Sequence, residues 1–439
     1  MECTTINEGR LINKLALRLM PLVCLLYLVA YIDRANISFT KLQMLDSLGL
    51  SEAVYGLGAS LFFIGYMLFE VPSNILLHRY GAPKWLARIV LSWGVVTILL
   101  AFAHTATTFY VLRFLLGVAE AGLYPGVIFY LTLWFPTQHR LRMLGYFTVG
   151  SSMGNMIGAP ICGYLLDQAG LLGLQGWQLV FVCTGIPPIL LAGVVFYGLP
   201  RSPEKAKFLS EAERSWLVST LALQQNEIAA RDSGGHALSV LKDPRVLGLA
   251  CLYMMASISI YGVSYWLPTV VKGFGVTNTV NGLLNVLPWL AATLVLLVLP
   301  SKLRAGNKPL RAMFCAASLG VLFFLGSVYL PDSQWRFIAL TLGAPCMYLL
   351  LPCFWTLPTR FLTGVRAAAG IATINSLSNL GGFIAQNLFP YVKTATGSVT
   401  APMLIPSCCM TVFALVSLVL LLRLRPEGSP QSTLKESHP

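Results

Sequence analysis

The chain has 439 residues, of which 56% are hydrophobic and 11% charged, with a formal net charge of +13. That is more apolar surface than a soluble core of this length can hide, so lipid must be the solvent for most of the chain. The positive charge alone would fit a nucleic-acid binder, and the placement of the basic residues has to decide.

A hydrocarbon core about 30 Å thick takes roughly 20 helical residues to cross. In chain order, apolar runs predict twelve spans: 15–38, 52–77, 84–104, 107–135, 141–166, 177–199, 246–271, 281–300, 310–330, 334–357, 367–391 and 401–423. They lack the two-residue alternation of membrane strands and are too long for them, which rules out a closed barrel. With the N-terminus inside, 24 of the 30 Lys and Arg lie in segments on that side. Only Lys41, Lys272, Arg336 and Lys393 lie on the other, while Arg34 and Arg113 fall within spans. This is the positive-inside pattern; it predicts cytoplasmic termini and accounts for the charge without nucleic acid. The first apolar run continues into Tyr31, Asp33 and Arg34 without a small-residue cleavage site, so it reads as a span and not as a removable signal. Ten cysteines show no metal-type spacing and read as apolar packers.

The polar segment 200–245 divides the spans six and six. It predicts an N-terminal bundle over 1–199, a central cytoplasmic loop over 200–245, a C-terminal bundle over 246–425 and a cytoplasmic tail over 426–439. In the loop, Ser210 as N-cap with Glu213 at the third helical position predicts a surface helix reaching Gln225. The halves also repeat. Leu48-Gly-Leu-Ser51 with Val54, Gly56 and Leu57 matches Phe274-Gly-Val-Thr277 with Val280, Gly282 and Leu283, and Phe135-Pro-Thr137 matches Leu357-Pro-Thr359. Two parallel six-helix repeats with a cavity between them are a transporter architecture. No GxxxxGK[ST] loop or cofactor motif is present, so no cofactor is expected and accumulation would draw on an ion gradient.

Five charged residues lie well inside spans: Asp33, Arg34, Glu70, Arg113 and Glu120. A buried ionised group costs several kcal/mol unless it faces a wet cavity or a partner, so each marks a candidate site. Helical rise puts Asp33 and Arg34 in the outer third of the first span, level with Arg113, and Glu120 shares a helix face with Arg113. Guanidinium groups bind carboxylates bidentately, whereas Asp33 and Glu120 can exchange protons. The competing reading is that the acids merely neutralise the arginines in a packed bundle. Glu70, followed by Pro72, Ser73 and Asn74, is expected to hold basic residues of the neighbouring inner loops and to lock an inner gate. Tyr31, Tyr66, Tyr261, Tyr265, Trp266, Asn375, Ser376 and Asn379 are polar or aromatic candidates for ligand contact, against a packing role. Gly150, Gly154, Gly158 and Gly163, with Pro160, form a small-residue stripe that serves sliding or simple packing.

These residues resemble a known family. Tyr31-Ile-Asp-Arg-Ala-Asn36, Phe69-Glu-Val-Pro-Ser-Asn74, Arg113-Phe-Leu-Leu-Gly-Val-Ala-Glu-Ala-Gly122 with Tyr124-Pro-Gly126, Ser264-Tyr-Trp-Leu-Pro268, Phe354-Trp355 with Pro358, and Ile374-Asn-Ser376 with Gly381-Gly-Phe383 look like the anion:cation symporter branch of the major facilitator superfamily. The likeness covers nearly the whole chain and is nearest to the bacterial tartrate, phthalate and 4-hydroxyphenylacetate transporter-like group. It implies an all-α membrane protein of twelve helices in two pseudo-symmetric bundles, working by alternating access in the bacterial inner membrane. It further implies that Arg34 and Arg113 bind a carboxylate, that Asp33 and Glu120 couple protons, and that Tyr31, Tyr66 and Asn375 line the site. His78-Arg79-Tyr80-Gly81-Ala-Pro-Lys84 corresponds to the superfamily loop between spans 2 and 3, which adds Arg79 and Lys84 to Glu70 as gating candidates. Departures from the pattern are His78 for the usual acid, Ser301-Lys302-Leu-Arg304 without its acid, Thr184 for Glu, Gln386 for a frequent Pro, and an added Arg366.

The expected function is therefore monomeric, proton-coupled import of an aromatic acid, a tartrate-like dicarboxylate or a sugar acid. A sodium-coupled or exchange carrier is the alternative. A membrane enzyme or substrate sensor is the remote one, since no nucleophile–base pair or metal cluster is evident.

Overall fold

The computed structural model describes residues 7–231, 243–303, 307–358 and 364–423, which are helical with no strand among them. Asp232 to Gly235, Arg304, the side chain of Arg366 and the predicted tail lie outside what is described. The helices are α1 (Glu8–Leu48), α2 (Glu52–Tyr80), α3 (Ala82–Leu100), α4 (Ala106–Glu120), α5 (Leu123–Trp134), α6 (Thr137–Leu166), α7 (Gly176–Gly198), α8 (Glu211–Arg231), α9 (Pro244–Lys272), α10 (Asn278–Lys302), α11 (Lys308–Tyr329), α12 (Ser333–Phe354), α13 (Gly364–Thr396) and α14 (Leu404–Arg423). Ten stretches, with α4 and α5 counted together, are long and apolar enough to cross a membrane. With α6 and α13 they make twelve. Those two are more polar, and both lie between the halves: α6 packs on both α1 and α10, and α13 on both α9 and α2.

Two predicted spans are corrected. Instead of ending at 38, α1 runs for 41 residues, from an Asn7 side chain that accepts the Arg10 N–H at 3.0 Å to Gly49 in the left-handed region. Asp33 and Arg34 consequently sit at the border between the middle and outer thirds of the helix. The single span predicted over 107–135 stays one crossing, Ala106–Trp134, but its helix is interrupted: the first segment ends at Glu120, and Gly122 (φ 89°) in the left-handed region kinks the backbone before α5. The freed Ala121 carbonyl accepts the Ser73 hydroxyl at 2.6 Å, and that hydroxyl in turn accepts the Trp85 indole N–H at 3.0 Å. Irregular backbone at membrane depth persists only when satisfied in this way.

The loop helix forms as its capping box predicts, extending to Arg231. The Glu213 N–H donates to Ser210 Oγ at 3.3 Å and the Ser210 N–H donates to Glu213 Oε2 at 2.8 Å. Lys14 ties it to α1 through Glu213 at 2.7 Å.

The halves meet along α2–α13, α6–α10 and α1–α9, and polar links concentrate on the face opposite the described N-terminus. At the first seam Glu52, in the first turn of α2, pairs with Lys393 of α13 and, at 2.7 Å, with the buried Lys41 of α1. Lys41 in turn lies 3.5 Å from the centre of the Trp266 ring on α9. At the second seam Asp167 ends α6 and caps the N-terminus of α10. It accepts the Thr279 N–H and hydroxyl, each at 2.7 Å, and the Asn278 amide at 2.8 Å. The repeated glycines allow both crossings: a Cβ on Gly56 would lie 2.4 Å from the Gln386 carbonyl oxygen, and one on Gly282 2.5 Å from that of Ala159.

Charge-assisted hydrogen bonds contribute about 1.5–3 kcal/mol each, so losing the Asp167 links should shift the equilibrium toward opening at this face by tenfold or more. Asp167→Ala is expected to raise labelling of a cysteine placed at Ile37 by an impermeant maleimide added from that side. Burial pushes the Asp167 carboxyl up, but the hydrogen bonds from Thr279 and Asn278 outweigh it and hold the group below its usual 3.8. A depressed pKa means that the link is present above pH 3.8 and is lost only as pH falls through the lower, native value. Labelling of the parent protein should accordingly be flat between about pH 5 and 8 so far as Asp167 controls it.

Candidate functional site

At the level of the α4–α5 break a small cavity lies between the halves. From the first half it is lined by Asp33, Arg34 and Tyr31 of α1, Phe62 and Phe63 of α2, and Arg113 and Glu120 of α4; from the second by Tyr261, Tyr265 and Gln386. The structure therefore brings together the four charged residues singled out from the sequence on α1 and α4. Among the described residues, no charged side chain of the second half is fully buried.

The four are not equivalent. Arg34 donates through Nε to Glu120 Oε1 at 3.0 Å, with a second bond from Nη2 to the same oxygen, and its guanidinium is ringed by Tyr31, Phe62 and Tyr66 at 5.2 to 5.8 Å. Arg113 forms no ion pair among the described residues. It is buried beside the Phe62 ring, gives one hydrogen bond to the Ala59 carbonyl at 2.9 Å, and leaves its Nε without a partner. Asp33, also buried, is held by neutral donors: Asn36 Nδ2 to Oδ1 at 2.9 Å and Thr97 Oγ1 to Oδ2 at 3.2 Å. Asn36 also donates to Thr184 at 3.1 Å, so the position that departs from the family's Glu stands directly behind Asp33.

The cavity measures about 40 Å³, room for a water or two and far below the roughly 300 Å³ of a small-molecule pocket. The halves must separate before a substrate can enter. With two acids and two arginines ionised, the charges within it cancel.

Other candidates lie elsewhere. Tyr66 is buried behind Arg34 and is not among the lining residues. Trp266 belongs to the closing seam, where its indole N–H donates to the Val399 carbonyl at 2.8 Å and its face covers Lys41. Asn375 and Ser376 are half-buried and do not line the cavity. Glu70 is buried and has no ion pair among the described residues, so it does not hold basic loop residues there; the Ser376 side chain of the other half lies beside it. Arg79 and Lys84 are exposed, as are His78 and Lys302. The sequence reading missed Phe62, Phe63 and Lys41, and it gave Gln386 no place in the site.

The Major Facilitator Superfamily model matches residues 23–386. The chain belongs to this superfamily. It is 40% identical over 418 residues to an Agrobacterium vitis protein provisionally named a tartrate transporter, covering 94% of this chain and 95% of the relative. It is 42% identical over 412 residues to the quinolone resistance transporter of Acinetobacter baumannii (93% and 94%), and 32% identical over 409 residues to the inner membrane transport protein RhmT of Escherichia coli (92% and 94%). The solved D-xylose–proton symporter superposes with a TM-score of 0.73 at 15% identity, covering 91% of this chain and 97% of that one, and thus shares the fold. The inward-open xylose transporter XylE gives 0.71 at 17% identity, covering 94% and 97%. The protein is a multi-pass membrane transporter of small molecules, not an enzyme.

Proposed function

We propose that this transporter imports a small organic carboxylate in symport with protons across a bacterial inner membrane, as a monomer with both termini in the cytoplasm. The observation that carries this is Arg113, a buried guanidinium with no anionic partner among the described residues, facing a cavity whose charges cancel only when its own is counted. An arriving carboxylate would leave the site with one uncompensated negative charge in a poorly solvated space. A proton on Asp33 or Glu120 restores neutrality, so anion and proton favour each other's binding. The links at the seam opposite the termini would hold the emptied carrier closed on its outer side. Substrate and proton then bias the exchange between the two open states.

Proteoliposomes test the reading. Carboxylate uptake should accelerate when the outside is made acidic, and transport indifferent to the proton gradient would overturn symport. In Glu120→Gln the counterpart of Arg34 remains a hydrogen-bond acceptor but cannot exchange a proton. Substrate exchange should persist while proton-driven accumulation is lost, and equal loss of both would overturn the role given to Glu120. The relative named for quinolone resistance favours a second reading, in which the same site runs as an exchanger and protons move opposite to substrate. The sign of the pH change inside the vesicles on adding substrate distinguishes the two.

A further inference from the structure

Gln386 is the departure from the family pattern that the structure brings to the cavity. It lies on α13 of the second half, is 5% exposed, and its side-chain carbonyl oxygen has no hydrogen-bond partner. A buried acceptor left empty costs about 1–3 kcal/mol, so it is retained where something arrives to fill it. The Tyr265 hydroxyl on the same wall is likewise buried and unpaired. Across the cavity stands Arg113, with an unpaired Nε. The remaining guanidinium, Arg34, is occupied by Glu120. Among the described residues the cavity thus offers one free cation, which accommodates one carboxylate. Between these ends the wall is mostly aromatic, with Tyr31, Phe62, Phe63, Tyr261 and Tyr265, and Asn155 and Ser264 are its other neutral polar groups. A dicarboxylic polyol would set its second carboxylate and its hydroxyls against ring faces that offer them few partners, whereas a planar ring fits such faces.

We propose that the substrate is an aromatic monocarboxylate carrying a hydrogen-bond donor on its ring, with the carboxylate on Arg113 and the donor on the Gln386 side-chain oxygen, which makes Gln386 a specificity-determining residue. This rests on the carboxylate-carrier reading above. Because Arg113 and Gln386 belong to opposite halves, a ligand that reaches both also favours an occluded arrangement, with the halves set wider apart than here, over either open one.

The test is calorimetric binding to the purified full-length carrier of benzoate, 3- and 4-hydroxybenzoate and tartrate. The better hydroxybenzoate is expected to bind about tenfold more tightly than benzoate, the worth of one hydrogen bond to an otherwise empty buried acceptor, and tartrate to compete with neither. Gln386→Leu should remove that gap while leaving benzoate affinity within about twofold. Gln386→Glu, which keeps an acceptor, should retain the preference; a purely structural role would move both ligands together. If tartrate binds more tightly than the aromatic acids and its binding requires Arg113, or if the gap survives Gln386→Leu, the assignment is wrong and the carboxylate carrier stands. If none of these acids binds in an Arg113-dependent way, both readings fall.

Discussion

Arg113→Met should abolish carboxylate transport and at the same time raise the melting temperature of the detergent-solubilised protein. The two effects have one cause. A guanidinium 4% exposed, with no ion pair among the described residues and one nitrogen unpaired, is a desolvated charge that the empty protein holds at a cost. Replacing it with an apolar side chain of similar length removes that cost and fills the same space beside Phe62, while a proton taken up by Asp33 or Glu120 restores the neutrality that the lost charge supplied. It also removes the cation that a carboxylate would meet, so ligand-induced stabilisation should vanish along with uptake. A melting temperature that falls in Arg113→Met would mean that the residue is a structural support, and the site reading would lose its main observation.

Arg34→Met should behave in the opposite way, with the largest loss of stability of any substitution considered. Arg34 and Glu120 form a hydrogen-bonded pair in which the Glu120 side chain is wholly buried. Removing one member strands the other, which costs about 3–5 kcal/mol. The double replacement Arg34→Met with Glu120→Gln should recover most of that loss, because the stranded charge is gone. Thermal melts of the four proteins in one detergent form the double-mutant cycle, and additive effects would show that the pair is not coupled. These two arginines, indistinguishable by type and depth in the sequence, thus make opposite predictions because one is partnered and the other is not.

Much of the site was legible for a simple reason: lipid penalises charge, so Asp33, Arg34, Arg113 and Glu120 stand out against apolar runs. Their pairing was not legible, since it depends on which side chain reaches which across helices. Other misses have local explanations. The predicted span 1 ends at 38, which leaves Lys41 in a loop, yet α1 continues to Leu48 and Lys41 is seven residues from Arg34 on the same helix face. Tyr261 and Tyr265 are four apart and share a face, whereas Trp266 is rotated away from Tyr261, and the helical period alone separates the ring at the seam from those in the cavity. Asn375 and Gln386 share a face of α13 but lie about 16 Å apart along it, so depth and not periodicity chose between them. The break after Glu120 had its own signal in Gly122 and Pro125, overridden by the length of the apolar run.

The one-sided placement of buried charge has an evolutionary reading. A carrier that keeps its ionisable groups in one repeat can exchange cargo by changing uncharged side chains in the other, without rebuilding its energetics. Relatives that handle different molecules would then diverge first on the walls contributed by α9 and α13, and grafting those walls between them should carry cargo choice with it.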